Sequence, residues 1–157
     1  HAMNRRIDRG DQVGILIEVN DATGYYTHLY RIACLGDAPE ELQKQHELVL
    51  AAQKHSLDLC VPGADPVEIL KSNNEFLRSH GLPEESRIYA HGQGYDMVER
   101  PSFQAGETMK LDVGMNIAVH PAAAGKRAFA MLTDNYIIEN HGVGPCLHQT
   151  PKQIFSL

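Results

Sequence analysis

His91-Gly92-Gln93-Gly94-Tyr95-Asp96-Met97-Val98-Glu99-Arg100-Pro101 follows directly on a strand-like run, Arg87–Ala90, and carries two glycines around one residue. Glycine has no Cβ, so the backbone there can come close to a ligand. His91 stands where a ligand or an acid/base group would be useful. Taken alone, the stretch fits a turn with a satisfied histidine better than a site, so its meaning rests on what surrounds it.

Working outward, Asp11–Asn20 contains Val13, Ile15, Leu16, Ile17 and Val19, and this β-branched content reads as a buried strand. Asn20-Asp21-Ala22-Thr23-Gly24 reads as a turn. Tyr25–Leu35 reads as a second strand, with Tyr26, His28, Tyr30 and Ile32 on one face and Thr27, Leu29, Arg31 and Ala33 on the other. The two strands pair as an antiparallel hairpin. Gly36-Asp37-Ala38-Pro39 opens a helix predicted to run to about Cys60, with Leu42, Val49, Ala52, Ser56 and Cys60 inward. Pro62-Gly63 ends it. Asp65 as N-cap, Pro66 and Glu68 mark a second helix start, with Val67, Leu70, Asn74 and Leu77 inward and Gly81 and Pro83 as the stop. Short strands are predicted over Arg87–Ala90, Thr108–Val113, Met115–His120 and Ala128–Ile138, and a short helix from Thr150-Pro151-Lys152-Gln153. Hairpin, two helices, then strands is an α+β order, with the helices on one face of a curved, mostly antiparallel sheet.

The 157 residues fit one domain, and a net charge of −6 argues against a nucleic-acid partner. No apolar run approaches the ~18 residues of a membrane span. Three cysteines without a CxxC read as free thiols, which places the chain in a reducing cytoplasm. His1-Ala2-Met3 reads as a tag remnant, leaving residues 4–157 as the folded unit. Of nine histidines, His46, His55 and His80 fall in helical segments and are expected at the surface, while His141 and His148 have no assigned place. His120 precedes Pro121, which favours extended geometry. Asp134 sits in a strand-like run, where Asp is depleted, so an edge or a bulge is its ordinary explanation.

These segments together resemble one family in order, the pita-bread metallopeptidases, which include methionine aminopeptidase, prolidase and creatinase. Gly10-Asp11 opens the first strand, and Gly24-Tyr25-Tyr26-Thr27-His28-Leu29-Tyr30-Arg31 matches the family's second motif. His91-Gly92-Gln93-Gly94 to Val98-Glu99 matches the third, Gly114-Met115 to His120-Pro121 the fourth, and Thr133-Asp134 the fifth. The resemblance runs from about Gly10 to the end. It implies the C-terminal part of a pita-bread catalytic domain, with the first half of the cleft outside this chain.

The departures from the family lie in its metal ligands. The family binds two metal ions through Asp, Asp, His, Glu and Glu; the matching residues here are Glu18, His28, His91, His120 and Thr133. A second family histidine that contacts substrate is matched by Val98. Carboxylates bridge paired hard cations because each brings charge and two oxygens, so a dinuclear site is not expected. Two chemistries stay open: no metal, with His91 and His120 as acid and base as in metal-independent creatinase, or a single zinc, manganese or cobalt ion on Glu18, His28, His91 and His120. The resemblance implies hydrolysis of a C–N bond in a small peptide or amide, with Tyr95, Asp96 and Glu99 positioning substrate. A rival expectation is a binding module that retains the fold without chemistry. Self-association, or the remaining part of a longer protein, is expected to cover the open sheet edge.

Overall fold

The computed structural model describes residues 4–157; the tripeptide read as a tag remnant lies outside the described residues. Strands β1 (Gln12–Asn20) and β2 (Tyr26–Cys34) form the expected hairpin, paired antiparallel along their full length. Its turn is held by the Asp21 carboxylate, which accepts from the Thr23 and Tyr25 backbone N–H groups at 2.8 and 3.2 Å. Gly24 closes the turn at φ +84°, a conformation that side-chain-bearing residues rarely take. Strand β1 is not buried as expected: Ile15, Leu16, Ile17 and Val19 are 43–52% exposed. Its neighbour β2 pairs on the other side with β10 (Ile154–Ser156), which leaves β1 as an edge. β-Branched content marks a strand without saying which side of it is covered.

Helix α1 (Glu40–Leu59) buries Leu42, His46, Val49, Ala52, Gln53 and Ser56 along one stripe. His46 was expected at the surface, but the 42-46-49-53 spacing turns it inward. Helix α2 (Pro66–Ser79) starts as the sequence indicates, with Asp65 accepting from the Val67 N–H at 2.9 Å. Its buried stripe is Pro66, Ile69, Asn73 and Leu77 rather than Val67, Leu70, Asn74 and Leu77, so three of the four inward positions shift by one residue.

A five-stranded sheet follows in the order β4 (Glu99–Ser102), β3 (Ala90–Gly92), β5 (Asn116–Val119), β8 (Asp134–Glu139), β9 (Gly142–Val143). Strands β6 (Ala122–Ala124) and β7 (Phe129–Met131) make a separate hairpin. The predicted strand Ala128–Ile138 is therefore two strands, broken at Leu132-Thr133. Residues 108–113 form no strand; Leu111 instead exchanges backbone hydrogen bonds with the Gly63-Ala64 loop between the helices. The C-terminal stretch is not a helix start, because the carbonyls of Thr150 and Pro151 accept from Arg31 and the chain continues into β10, parallel to β2. No helix among the described residues is long and apolar enough to cross a membrane.

The two main sheets meet at a bridge between Tyr30 and Thr133. Beside it lies the Arg31 side chain, 3% exposed. Its Nε–H donates to the Pro151 carbonyl, Nη1 to those of Tyr30 and Thr133, and Nη2 to Asp134 Oδ1 and the Thr150 carbonyl, at 2.7–3.0 Å. These five bonds match the five N–H donors of a guanidinium. Asp134, fully buried, also faces His148 and Lys152, each at 3.3 Å. It is neither at a sheet edge nor in a bulge; it is the counter-charge of Arg31. Burial pushes its carboxyl upward, but His148, Arg31 and Lys152 together outweigh that and bring it down to about 2.

Removing one member of a buried pair strands the other, at a cost of ~3–5 kcal/mol. Asp134→Ala is expected to lose that much stability by denaturant unfolding. Arg31→Met with Asp134→Leu should recover part of it, because no lone charge then remains buried. A loss below ~1 kcal/mol for Asp134→Ala would show that this pair does not hold the sheets together. The stability from the depressed Asp134 carboxyl is present above its unfolded value near 3.9 and is lost as pH falls through about 2.

Candidate functional site

Side chains alternate across each strand, and this sorts the sheet into two faces. Ala90, Val119 and Asp134 are cross-strand neighbours, as are Gly92, Ile117 and Tyr136. They lie on the helix side, where Val119, Ile117 and Tyr136 pack with Ile69 and Asp134 meets Gln53 of α1 at 3.4 Å. The row His91, Ala118, Asn135 therefore lies on the face away from the helices.

On that face three imidazoles converge from β2, β3 and the end of β5. The ring centres of His28 and His91 are 5.9 Å apart, those of His28 and His120 5.7 Å, and those of His91 and His120 5.2 Å. All three residues are buried. Glu18 is paired with His28 across the hairpin, and its Oε1 lies 3.6 Å from His28 Nε2. The register thus brings together Glu18, His28, His91 and His120, four residues that the sequence marks as candidate ligands. Thr133, at the fifth position, is fully buried, and its hydroxyl has no hydrogen-bond partner.

Beneath the rings is an amide network that the sequence reading did not identify. Asn135 Oδ1 accepts from the His28 backbone N–H at 2.8 Å, and Asn135 Nδ2 donates to Gln93 Oε1 and Asn116 Oδ1 at 2.8 and 3.0 Å. Asn116 Nδ2 donates to the Gln93 carbonyl at 3.0 Å. These bonds tie β2, β5, β8 and the segment after His91 to one another. The available signal was asparagine inside strand-like runs, as unusual there as Asp134.

His91 Nδ1 lies 2.8 Å from the Gly92 carbonyl. A carbonyl only accepts, so Nδ1 carries the proton and Nε2 keeps its lone pair. Gly92 is required by strand packing: a Cβ there would stand 2.4 Å from the Arg100 carbonyl oxygen, at the β3–β4 bulge. The close approach foreseen for a ligand at this glycine is made by β4 instead. Both ring nitrogens of His28 are buried without a hydrogen-bond partner.

Tyr95, Asp96 and Glu99 are not drawn into the imidazole cluster by any hydrogen bond. Tyr95 is 73% exposed and meets Tyr25 edge-on at 5.9 Å. Glu99 Oε1 accepts from the Asp96 N–H at 2.7 Å, which closes their own loop. A cavity of about 540 Å³ lies elsewhere, lined by residues that include Asp11, Glu41 and Arg127.

Burial, then the nearby His91 and His148, holds His28 down at about 4; burial, then His91 and His28, holds His120 down at about 3. Burial lowers His91 too, opposed by the Gly92 carbonyl and Glu18. His28 and His120 are therefore neutral at pH 7. Groups so acidic are weak general bases at neutral pH, whereas a neutral imidazole is the form that ligates a metal.

Among comparisons with known proteins, the sequence model of metallopeptidase family M24 matches residues 1–144. A curated relative, the Xaa-Pro dipeptidase of Pyrococcus furiosus, is 26% identical over 147 residues, covering 90% of this chain and 41% of that protein. Prolidase from Pyrococcus furiosus superposes with a TM-score of 0.85 at 26% identity, over 96% of this chain and 44% of the other. X-Pro aminopeptidase from Thermotoga maritima superposes at 0.90 with 22% identity, over 99% and 44%. The fold is the pita-bread fold, and the chain spans about a third to two-fifths of the length of the curated relatives it matches.

The donor set does not fit the pair of hard cations implied by the fold. Glu18 is the one carboxylate among the five positions, and neutral imidazoles and a hydroxyl do not bridge two dications. Among the described residues, donor atoms of Asp134, Cys146 and His148 all lie within 4.8 Å of one another. Asp134 already faces two cationic side chains, Arg31 and Lys152, so a metal ion there would meet positive charge.

Because His28 and His120 titrate lower in the folded chain than in the unfolded one, the unfolded chain binds more protons below the free-imidazole value near 6.5. Their contribution to stability is full above pH ~6.5 and falls as pH drops towards 4 and 3. The thermal midpoint should therefore decline between pH 7 and pH 5, and His28→Gln should flatten that decline. An unchanged slope in the variant would refute the assignment.

Proposed function

Because this chain belongs to metallopeptidase family M24, we propose that it forms the C-terminal part of a catalytic domain that hydrolyses a C–N bond in a small peptide or amide, with Xaa-Pro dipeptides the first substrates to test. The observation that carries this reading is the meeting of three buried imidazoles from three separate strands beside Glu18. A buried polar atom without a hydrogen-bond partner costs ~1–3 kcal/mol, and His28 has two. A scaffold without chemistry gains nothing in return for that cost.

His91, with Nδ1 anchored and Nε2 free, is assigned the reacting or ligating nitrogen, and His120 the second such group. His28 completes the centre, and Glu18 supplies its one negative charge. Tyr95, exposed beside Tyr25, is assigned an aromatic face for substrate, with Asp96 and Glu99 shaping its loop. The competing reading, a binding module that no longer reacts, is favoured by one feature: Val98, 51% exposed, stands where the family has a substrate-contacting histidine.

The deciding experiment is an assay of Xaa-Pro dipeptides and small amides with the longer protein that contains this chain. Wild type should turn over at least one of them, and His91→Ala should lower the rate by about 100-fold or more. Equal rates in wild type and variant, or no turnover of any substrate by well-folded protein, would leave the binding-module reading.

The exposed β1 edge supports two further assignments. The remaining part of the parent protein, or a second copy of this chain, covers Ile15, Leu16, Ile17 and Val19. If a second copy does so, Leu16→Lys will shift the isolated chain to monomer in analytical ultracentrifugation. Wild type that is monomeric across the micromolar range would rule the second copy out. Free Cys34, Cys60 and Cys146 support a reducing compartment, the cytoplasm.

A further inference from the structure

We infer that Gln93 is a positioning residue: its buried side-chain amide ties the exposed loop that carries Tyr95 to the strand that carries His28, and so sets the place of one relative to the other. Its bearing on turnover rests on the hydrolase reading, which gives Tyr95 its contact with substrate. Glutamine is seldom buried, yet Gln93 is 1% exposed. Both its backbone groups and both ends of its side chain are hydrogen-bonded. The backbone N–H donates to the Asn116 carbonyl, and the Gln93 carbonyl accepts from Asn116 Nδ2, each at 3.0 Å. These two bonds fix the main chain of Gln93 against β5. The side chain then reaches two ways. Oε1 accepts from Asn135 Nδ2 at 2.8 Å, and Asn135 Oδ1 accepts in turn from the His28 backbone N–H. Nε2 donates to the Met97 carbonyl at 3.0 Å.

The loop has little else to hold it. Tyr95, Met97 and Val98 are exposed, so apolar burial does little to fix residues 94–98. The Gly94 N–H donates to the Asp96 carbonyl at 3.3 Å, and the Asp96 N–H to Glu99 Oε1, which closes the loop on itself. Among the described residues, two further hydrogen bonds anchor it. One is the Gln93 amide on Met97; the other runs from the Tyr26 N–H to the Gly94 carbonyl at 2.8 Å. Both lead to β2, one directly and one through Asn135. Tyr95 and the imidazoles share no hydrogen bond, but two satisfied amides stand between them, and buried networks of this kind are rigid.

The tether and the hydrolase reading can fail separately, so the test begins without substrate. In wild type, nuclear Overhauser contacts should join the Gln93 side-chain amide protons to Met97 and to Asn135. Their absence would overturn the tether, and that measurement does not depend on a variant folding. Gln93→Met keeps the length of the side chain and loses both amide bonds, while Asn135 keeps its bonds to Asn116 and to the His28 N–H. Amide exchange across Tyr95–Val98 should then rise about 10-fold or more, with exchange in α2 as in wild type. An unchanged loop, or a rise that α2 shares, would overturn the positioning role. In the longer protein, with a dipeptide that wild type hydrolyses, Gln93→Met should raise KM about 10-fold and leave kcat within about threefold. A fall in kcat at unchanged KM would overturn the loop's part in holding substrate. A loosened loop in a protein whose wild type hydrolyses nothing would leave the tether standing and remove the hydrolase reading.

Discussion

The buried guanidinium of Arg31 joins the hairpin to the larger sheet and to the C-terminal segment. Its five donors reach three separate parts of the chain: β2 itself, the Thr133-Asp134 entry to β8, and the Thr150-Pro151 segment that leads into β10. A charge this deep is tolerated only when it is paired and fully hydrogen-bonded. Arg31 therefore permits one arrangement of the hairpin against the larger sheet. His28 lies three residues away on the same strand, so the fit of Arg31 also determines where His28 stands.

Strand alternation then separates support from chemistry. Asp134 faces α1, with Gln53, His148 and Lys152 around it; Asn135, the next residue, faces the imidazoles. One strand thus carries the counter-charge that holds the sheets together and the amide that positions His28. His91 is anchored through Nδ1 to the Gly92 carbonyl, whereas the His28 ring is held by neighbouring structure alone, with both ring nitrogens unpartnered. Burial keeps His28 and His120 in the neutral form at neutral pH.

Much of this was legible from local signals. The hairpin turn, the Asp65-Pro66 helix start and the inner stripe of α1 each follow from a short-range preference, and the structure contains them. The order of motifs marks Glu18, His28, His91 and His120 as candidates, and the fold brings these four side chains near one another. What the sequence hid depends on distant partners. The exposure of β1 depends on which strand lies beside it, and the fate of Thr150–Gln153 depends on carbonyls claimed by Arg31 from 120 residues away. His46 was assigned to the surface because histidine usually lies there, although its helical spacing from Leu42 and Val49 pointed inward. Asn116 and Asn135 are unusual inside strand-like runs, but only the folded chain shows that the Asn135 amide donates to that of Asn116 at 3.0 Å.

The measurement that bears most directly on this account is the nuclear Overhauser effect among the ring protons of His28, His91 and His120, assigned with single His→Gln variants. Cross-relaxation should link all three rings in wild type and be lost when Arg31→Met releases β2 from β8. Three well-folded, separately assigned rings with no cross-relaxation between them would contradict the convergence itself, and with it the proposed centre.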